Sequence, residues 1–151
     1  MNDMQYTEIY NLLKRINRDT QINRLSEFIG GRINDNVLTH LQDRLTHNDL
    51  DILSTIGKDE LTVSEVVDQM AISQGGTSRR INHLERLDLL SKFHKAPNRK
   101  SVFLKLTTNG LILANAHNEL HQALRQEAFE SVSDFSDQDI NTVIKFLKRL
   151  S

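Results

Sequence analysis

Apolar residues recur three and four apart along most of this chain, the spacing that places them on one face of an α-helix. Ile9, Leu12, Leu13 and Ile16 make a first stripe, and Ile22, Leu25, Phe28 and Ile29 continue it after a phase slip at Asp19-Thr20. Gly30-Gly31 is the expected end or bend of that helix, because glycine accepts the backbone of a helix C-cap. Val37, Leu38, Leu41 and Leu45 form a shorter stripe. Thr46 with Asp49 then reads as a capping box ahead of Leu50, Ile52, Leu53 and Ile56, with Gly57 as the stop. Thr62 with Glu65 opens Val63, Val66, Val67 and Met70 in the same way. After a turn at Ala71-Ile72, Ser73 caps a helix whose inward residues are Ile81, Leu84 and Leu87.

The helical period fails in one region. Leu90 to Lys95 and Ser101 to Leu106 are short runs rich in Phe, Val and Leu, as two strands are. Between them, Ala96-Pro97-Asn98-Arg99-Lys100 holds the single proline of the chain, which presets a turn and marks the hairpin tip. Thr107 next caps a long helix to about Val132 that carries Leu111, Leu113, Ala114, Leu120, Leu124, Ala128 and Phe129. Ser136 with Asp139 opens a last one with Ile140, Val143, Ile144, Leu147 and Leu150. The expected fold is mainly α with a small β-hairpin wing. A winged helix-turn-helix occupies residues 46–107 of a single domain spanning 1–151, with helices at 1–45 and 108–151 flanking it. Those terminal stripes have no obvious partner inside a compact winged helix, so they are expected to pack on a second copy as a homodimer.

The outward face of the helix after Ser73 carries Gln74, Gly75, Gly76, Thr77, Ser78, Arg79, Arg80, Asn82 and His83. Short hydrogen-bonding side chains beside two guanidiniums are what reading base edges and clamping phosphates requires. The two glycines open a helix, where they let backbone approach a phosphate. At the hairpin, Lys95, Arg99 and Lys100 suit the negative potential of a minor groove, with Asn98 beside them. A formal net charge of -1 looks unfavourable for such a partner until it is divided. From Leu61 to Lys105 there are eight cations against four anions, so this segment carries +4 and the remainder -5.

These residues, in this order, resemble the MarR family of small dimeric transcription regulators. The match rests on Leu61-Thr62 with Ser64-Glu65, on Ser73-Gln74 and Ser78-Arg79, and on Leu84-Glu85. It continues through Asn98-Arg99-Lys100-Ser101-Val102 and Leu106-Thr107 with Gly110, and the flanking helices extend it to the whole chain. Two positions depart from the family pattern. Leu87-Asp88 stands where Lys-Gly or Arg-Gly is usual, and Asn98 and Lys100 stand where Asp-x-Arg is frequent at the wing. The resemblance implies a repressor that binds a palindromic double-stranded operator as a homodimer and is released by a small ligand, often an aromatic acid. Arg18, Arg24 and His47 are candidate anchors for such an acid, against the plainer reading of solvated helix faces.

His117 and His121, four apart on the predicted long helix, share a face and can ligate one zinc. Zinc-responsive members of the family carry two histidines that an ungapped match from Leu106-Thr107 puts on these positions, and a further ligand histidine falls on Asp51. The histidine-rich run of that subgroup is missing and its remaining ligand has no counterpart in the reading. His117, His121 and Asp51 are thus candidate metal ligands, while an isolated pair favours histidines at the surface or core edge. With no cysteine, disulfides, thiolate metal sites and cysteine redox sensing are excluded. No glycine-rich phosphate loop follows a strand, and no paired carboxylates converge, so an enzyme is not expected. The competing class is a winged helix used only for protein interaction. No apolar run approaches a membrane span and no leader-like segment opens the sequence, so the cytoplasm is the expected compartment.

Overall fold

A computed structural model describes residues 1–16, 21–97 and 99–150. Arg18, the slip at Asp19-Thr20, Asn98 and the side chains of Ile16, Ile22 and Leu38 lie outside the described part. The elements in order are α1 (Asp3–Ile16), α2 (Gln21–Ile29), α3 (Asp35–Gln42), α4 (His47–Ile56), β1 (Leu61–Thr62) and α5 (Val63–Gln69). They continue with α6 (Gln74–Arg86), β2 (Leu90–Phe93), β3 (Phe103–Leu106), α7 (Thr108–Ser131) and α8 (Asp137–Leu150).

The expected caps hold. Thr62 Oγ1 accepts from the Glu65 backbone N–H at 3.2 Å while Glu65 Oε2 accepts from that of Thr62 at 2.7 Å. Ser136 and Asp139 make the same reciprocal pair at the head of α8. Gly30, Gly31 and Gly57 all adopt positive φ at the ends of α2 and α4, a backbone that costs glycine nothing sterically.

The sheet has the order β1-β3-β2 and is antiparallel throughout. Both wing strands are shorter than the sequence predicts, and a two-residue strand before α5 adds a third partner, with Leu61 opposite Leu104 and Thr62 opposite Phe103. This third strand ties the wing root to the start of the helix-turn-helix.

The core gathers Leu50, Ile52, Leu53 and Ile56 of α4, Ile81 and Leu84 of α6, Leu104 of β3, and Leu113 and Leu120 of α7. Leu25 and Ile29 of α2 close it from the other side. Gly110 is a seam in this packing: a Cβ there would sit 1.9 Å from the Leu89 carbonyl oxygen. The first half of α7 is therefore buried against α4 and the strand entry. By contrast α8 buries no side chain, and no described side chain of α1 is buried. Ile9, Leu12 and Leu13 of α1 face Val143, Phe146 and Leu147 of α8 across an open apolar groove of about 510 Å³. Among the described residues no helix is long and apolar enough to cross a membrane.

Candidate functional site

Ser73 caps α6, its Oγ accepting from the Gly76 N–H at 3.2 Å. Gln74, Gly75, Arg79 and Asn82 are exposed, and Gly76, Ser78, Arg80 and His83 are half-buried on the same side. Thr77 is a correction: it was expected on the outward face, yet it is fully buried and its hydroxyl donates to the Ser73 carbonyl at 3.1 Å. Four and seven residues before Ile81 and Leu84, it lies on the inward stripe of its helix. Nothing within 4 Å would meet a Cβ at Gly75, so the open backbone there has no packing reason within the described chain.

Three residues of this face are held by the rest of the fold. Arg80 Nη1 lies 3.1 Å from Asp49 Oδ2. Asn82 Oδ1 accepts from Lys92 Nζ at 2.5 Å, and Lys92 also pairs with Glu85 at 2.7 Å. His83 Nε2 lies 2.9 Å from the Arg44 carbonyl oxygen. Arg79 is exposed and makes no ion pair with the described residues. Arg44, Arg79, Arg80, Arg86 and His83 line one open groove of about 670 Å³. Arg44 and Arg86 were missed in the sequence. Arg86, seven residues after Arg79, had a helical signal, whereas Arg44 in the turn before α4 had none.

At the wing, Arg99 and Lys100 are exposed. Lys95 differs from expectation: its ammonium folds back 2.8 Å from Glu60 and 4.4 Å from the centre of the Phe103 ring. That ammonium holds the Glu60 carboxyl below its ordinary range. Lys95 thus braces the wing root where a tip cation was expected. The turn out of α6 shows how Leu87-Asp88 replaces a glycine. Asp88 takes φ +55, the Leu89 N–H donates to the Leu84 carbonyl at 3.0 Å, and the Asp88 N–H donates to that of Glu85 at 3.0 Å. This is the hydrogen-bond pattern of a Schellman cap with aspartate in the left-handed position.

A second constellation sits between α4 and α7. His47, Asp51, His117 and His121 each offer a ligand atom, all within 4.8 Å of one another. His117 Nε2 and His121 Nε2 are 3.0 Å apart, and His47 Nε2 is 3.4 Å from Asp51 Oδ2. His117 was expected at the surface or core edge but is buried, and Ser54 Oγ meets its Nδ1 at 2.9 Å. Burial, with the two other imidazoles adding to it, pushes the His117 pKa down to about 4, so the ring is neutral at pH 7. Neutral imidazole is the ligating form, and a hydrogen bond at the far nitrogen orients it. His47 Nδ1 is buried and has no hydrogen-bond partner among the described residues. Three imidazoles and one carboxylate are a donor set suited to a four-coordinate zinc ion. His47 is the member the sequence reading missed as a ligand, having been taken as an acid anchor. The other described anchor, Arg24, is engaged in a two-pronged pair with Glu127 at 2.7 and 2.9 Å.

Residues 45–99 match the sequence model of the MarR family. This segment is similar to the winged helix of that family. The uncharacterized HTH-type transcriptional regulator YvnA of Bacillus subtilis (strain 168) is 28% identical over 108 residues, covering 71% of this chain and 69% of its own. Among solved structures, FabT of Streptococcus pneumoniae in complex with DNA has a TM-score of 0.63 at 22% identity, covering 96% of this chain and 94% of FabT. ZitR of Lactococcus lactis, a zinc-responsive MarR family member, has a TM-score of 0.61 at 20% identity, covering 71% of this chain and 74% of ZitR. The expected winged fold is thereby borne out, and this chain shares it with the MarR-family structures above.

Proposed function

We propose that this MarR-type protein is a homodimeric, sequence-specific repressor of a palindromic operator whose effector is a divalent metal ion of the zinc class. The observation that carries the effector is the convergence of His47, Asp51, His117 and His121 from two helices onto one point. DNA recognition is supported by the exposed Gln74, Gly75 and Arg79 on α6 and the exposed Arg99 and Lys100 on the wing. The exposed apolar side chains of α1 and α8 support the dimer, which would set two copies of α6 on successive major-groove turns. An organic acid has less to hold it, since Arg24 is already paired and His47 belongs to the cluster.

In this reading the metal would be held by the three imidazoles and the Asp51 carboxylate, and it would supply a link between α4 and α7. Ser54 orients His117, and the surrounding apolar packing keeps that ring neutral and ready. A linked α4 and α7 has fewer arrangements to lose when the protein docks on DNA, so occupancy favours operator binding. The test is fluorescence anisotropy on DNA from the protein's own promoter region, with added zinc, with a chelator, and with a panel of aromatic acids. Zinc is expected to tighten binding about tenfold or more, and His117→Ala and His121→Ala should each abolish the response. A response to an aromatic acid with none to zinc would replace the metal by the organic ligand.

A further inference from the structure

Asp49 stands between the two constellations. It lies in the first turn of α4, two residues after His47 and two before Asp51, and is fully buried. Its Oδ2 accepts three donors: the Thr46 backbone N–H at 2.8 Å, the Thr46 hydroxyl at 2.8 Å and Arg80 Nη1 at 3.1 Å. Its Oδ1 is buried and has no hydrogen-bond partner among the described residues. Enclosing a carboxylate completely is costly, and capping α4 does not require it. The capping carboxylates Glu65 and Asp139 do the same local work at exposed sites, with no ion pair to an arginine among the described residues. What burial of Asp49 adds is a charge-assisted contact to the recognition helix, next to the exposed Arg79. The same helix is fastened to the turn before α4 where His83 meets the Arg44 carbonyl. Both fastenings run to the end of α4 that carries His47 and Asp51.

We infer that Asp49 is a positioning residue which, through Arg80, passes the setting of α4 against α7 to the recognition helix. Arg80 then orients that helix and does not read bases. This rests on the metal reading of the cluster given above. The physical reason is that α4 moves as a rigid rod. Any change in how His47 and Asp51 sit against His117 and His121 displaces Asp49, and this ion pair resists stretching because the fully buried carboxylate has no solvent to replace its arginine. Two sites joined in this way share a coupling free energy, so the effect of zinc on operator affinity equals the effect of operator on zinc affinity.

The experiment uses the full chain as wild type, Asp49→Asn, Arg80→Gln and the double variant. Operator affinity is measured by anisotropy in zinc and in chelator, and zinc affinity off DNA by competition with a chelating dye. The expected result is that the ratio of operator affinities with and without zinc falls from about tenfold or more to below about threefold in every variant. Zinc affinity off DNA should stay within about threefold of wild type, and the double variant should lose no more coupling than either single one. A lesion that merely loosens the fold weakens operator binding in both states alike and leaves the ratio intact. That outcome overturns the inference while the metal reading stands. A changed base preference for Arg80→Gln in binding-site selection overturns it too. If the wild type takes up no zinc, the metal reading fails and this one with it. Arg80→Gln, at a site whose side chain is 38% exposed, keeps the test decisive if Asp49→Asn does not fold.

Discussion

The first half of α7 and the whole of α8 both carry apolar residues at helical spacing and finish in opposite surroundings. Leu113, Ala116 and Leu120 of α7 are sealed against α4, whereas Val143, Ile144, Leu147 and Leu150 of α8 all remain exposed. On α1, Tyr6, Tyr10, Leu12 and Leu13 are exposed in the same way. A helical stripe therefore specifies a face that must be covered and is silent on what covers it. For α7 the cover is in the same chain, and its stability should be that of the fold. For α1 and α8 the proposed cover is a second copy, and their stability should follow protein concentration.

The largest expected effect falls on the covered side. In Gly110→Ala the added methyl would meet the Leu89 carbonyl oxygen at 1.9 Å and the carbonyl carbon at 2.9 Å. Both atoms are backbone at the entry to β2, so neither can rotate away. Urea unfolding should show a loss of about 3 kcal/mol, at the upper end for overpacking, because helix, turn and strand must separate together. A loss below about 1 kcal/mol would mean that this seam is soft and that α7 is less firmly part of the core than its burial implies.

The second variant addresses the uncovered side. Leu147→Asp places a carboxylate in the groove between α1 and α8. Each copy loses the burial of a leucine, about 1.5–3 kcal/mol, and two-fold symmetry doubles it. Sedimentation should move from dimer to monomer at micromolar concentration, while the far-ultraviolet spectrum of the winged core is kept. Persistence of the dimer would place the interface elsewhere; loss of the core signal would show that α8 stabilises its own chain.

The same contrast explains which features were legible in the sequence. Caps at Thr62, Ser73, Thr107 and Ser136 depend on residues three apart, and local chemistry suffices to read them. The winged order was legible because turn and strand signals fall between well-marked helices. β1 was not, since two residues acquire strand character only by pairing with Leu104 and Phe103, some forty positions away. Thr77 was misplaced because its polar side chain outweighed its spacing from Ile81 and Leu84. In the cluster, His117 and His121 share a helix face and were visible as a pair. His47 became a partner only when α4 was laid on α7, and Asp49 acquired Arg80 only in three dimensions.

The smallest effect has the opposite sign and lies in the turn after α6, at Asp88. The Schellman turn after α6 requires a left-handed residue, and Asp88 supplies it at φ +55. An L-residue there costs roughly 1 kcal/mol, less for aspartate than for a branched side chain, whereas glycine adopts it freely. The contact that matters is made by backbone: the Asp88 carbonyl accepts from the Thr107 hydroxyl at 2.7 Å, joining the turn to the cap of α7. Asp88 itself is exposed, so Asp88→Gly removes strain and no buried contact. Part of the gain is offset by the extra freedom of glycine in the unfolded chain. The net expectation is a stabilisation of about 0.5 kcal/mol, read as a higher urea midpoint with an unchanged slope. Because Asp88 lies away from the α1 and α8 faces, the dimer constant should not move. A lower midpoint would show that the carboxylate has a stabilising role of its own, and that this chain departed from glycine to gain it.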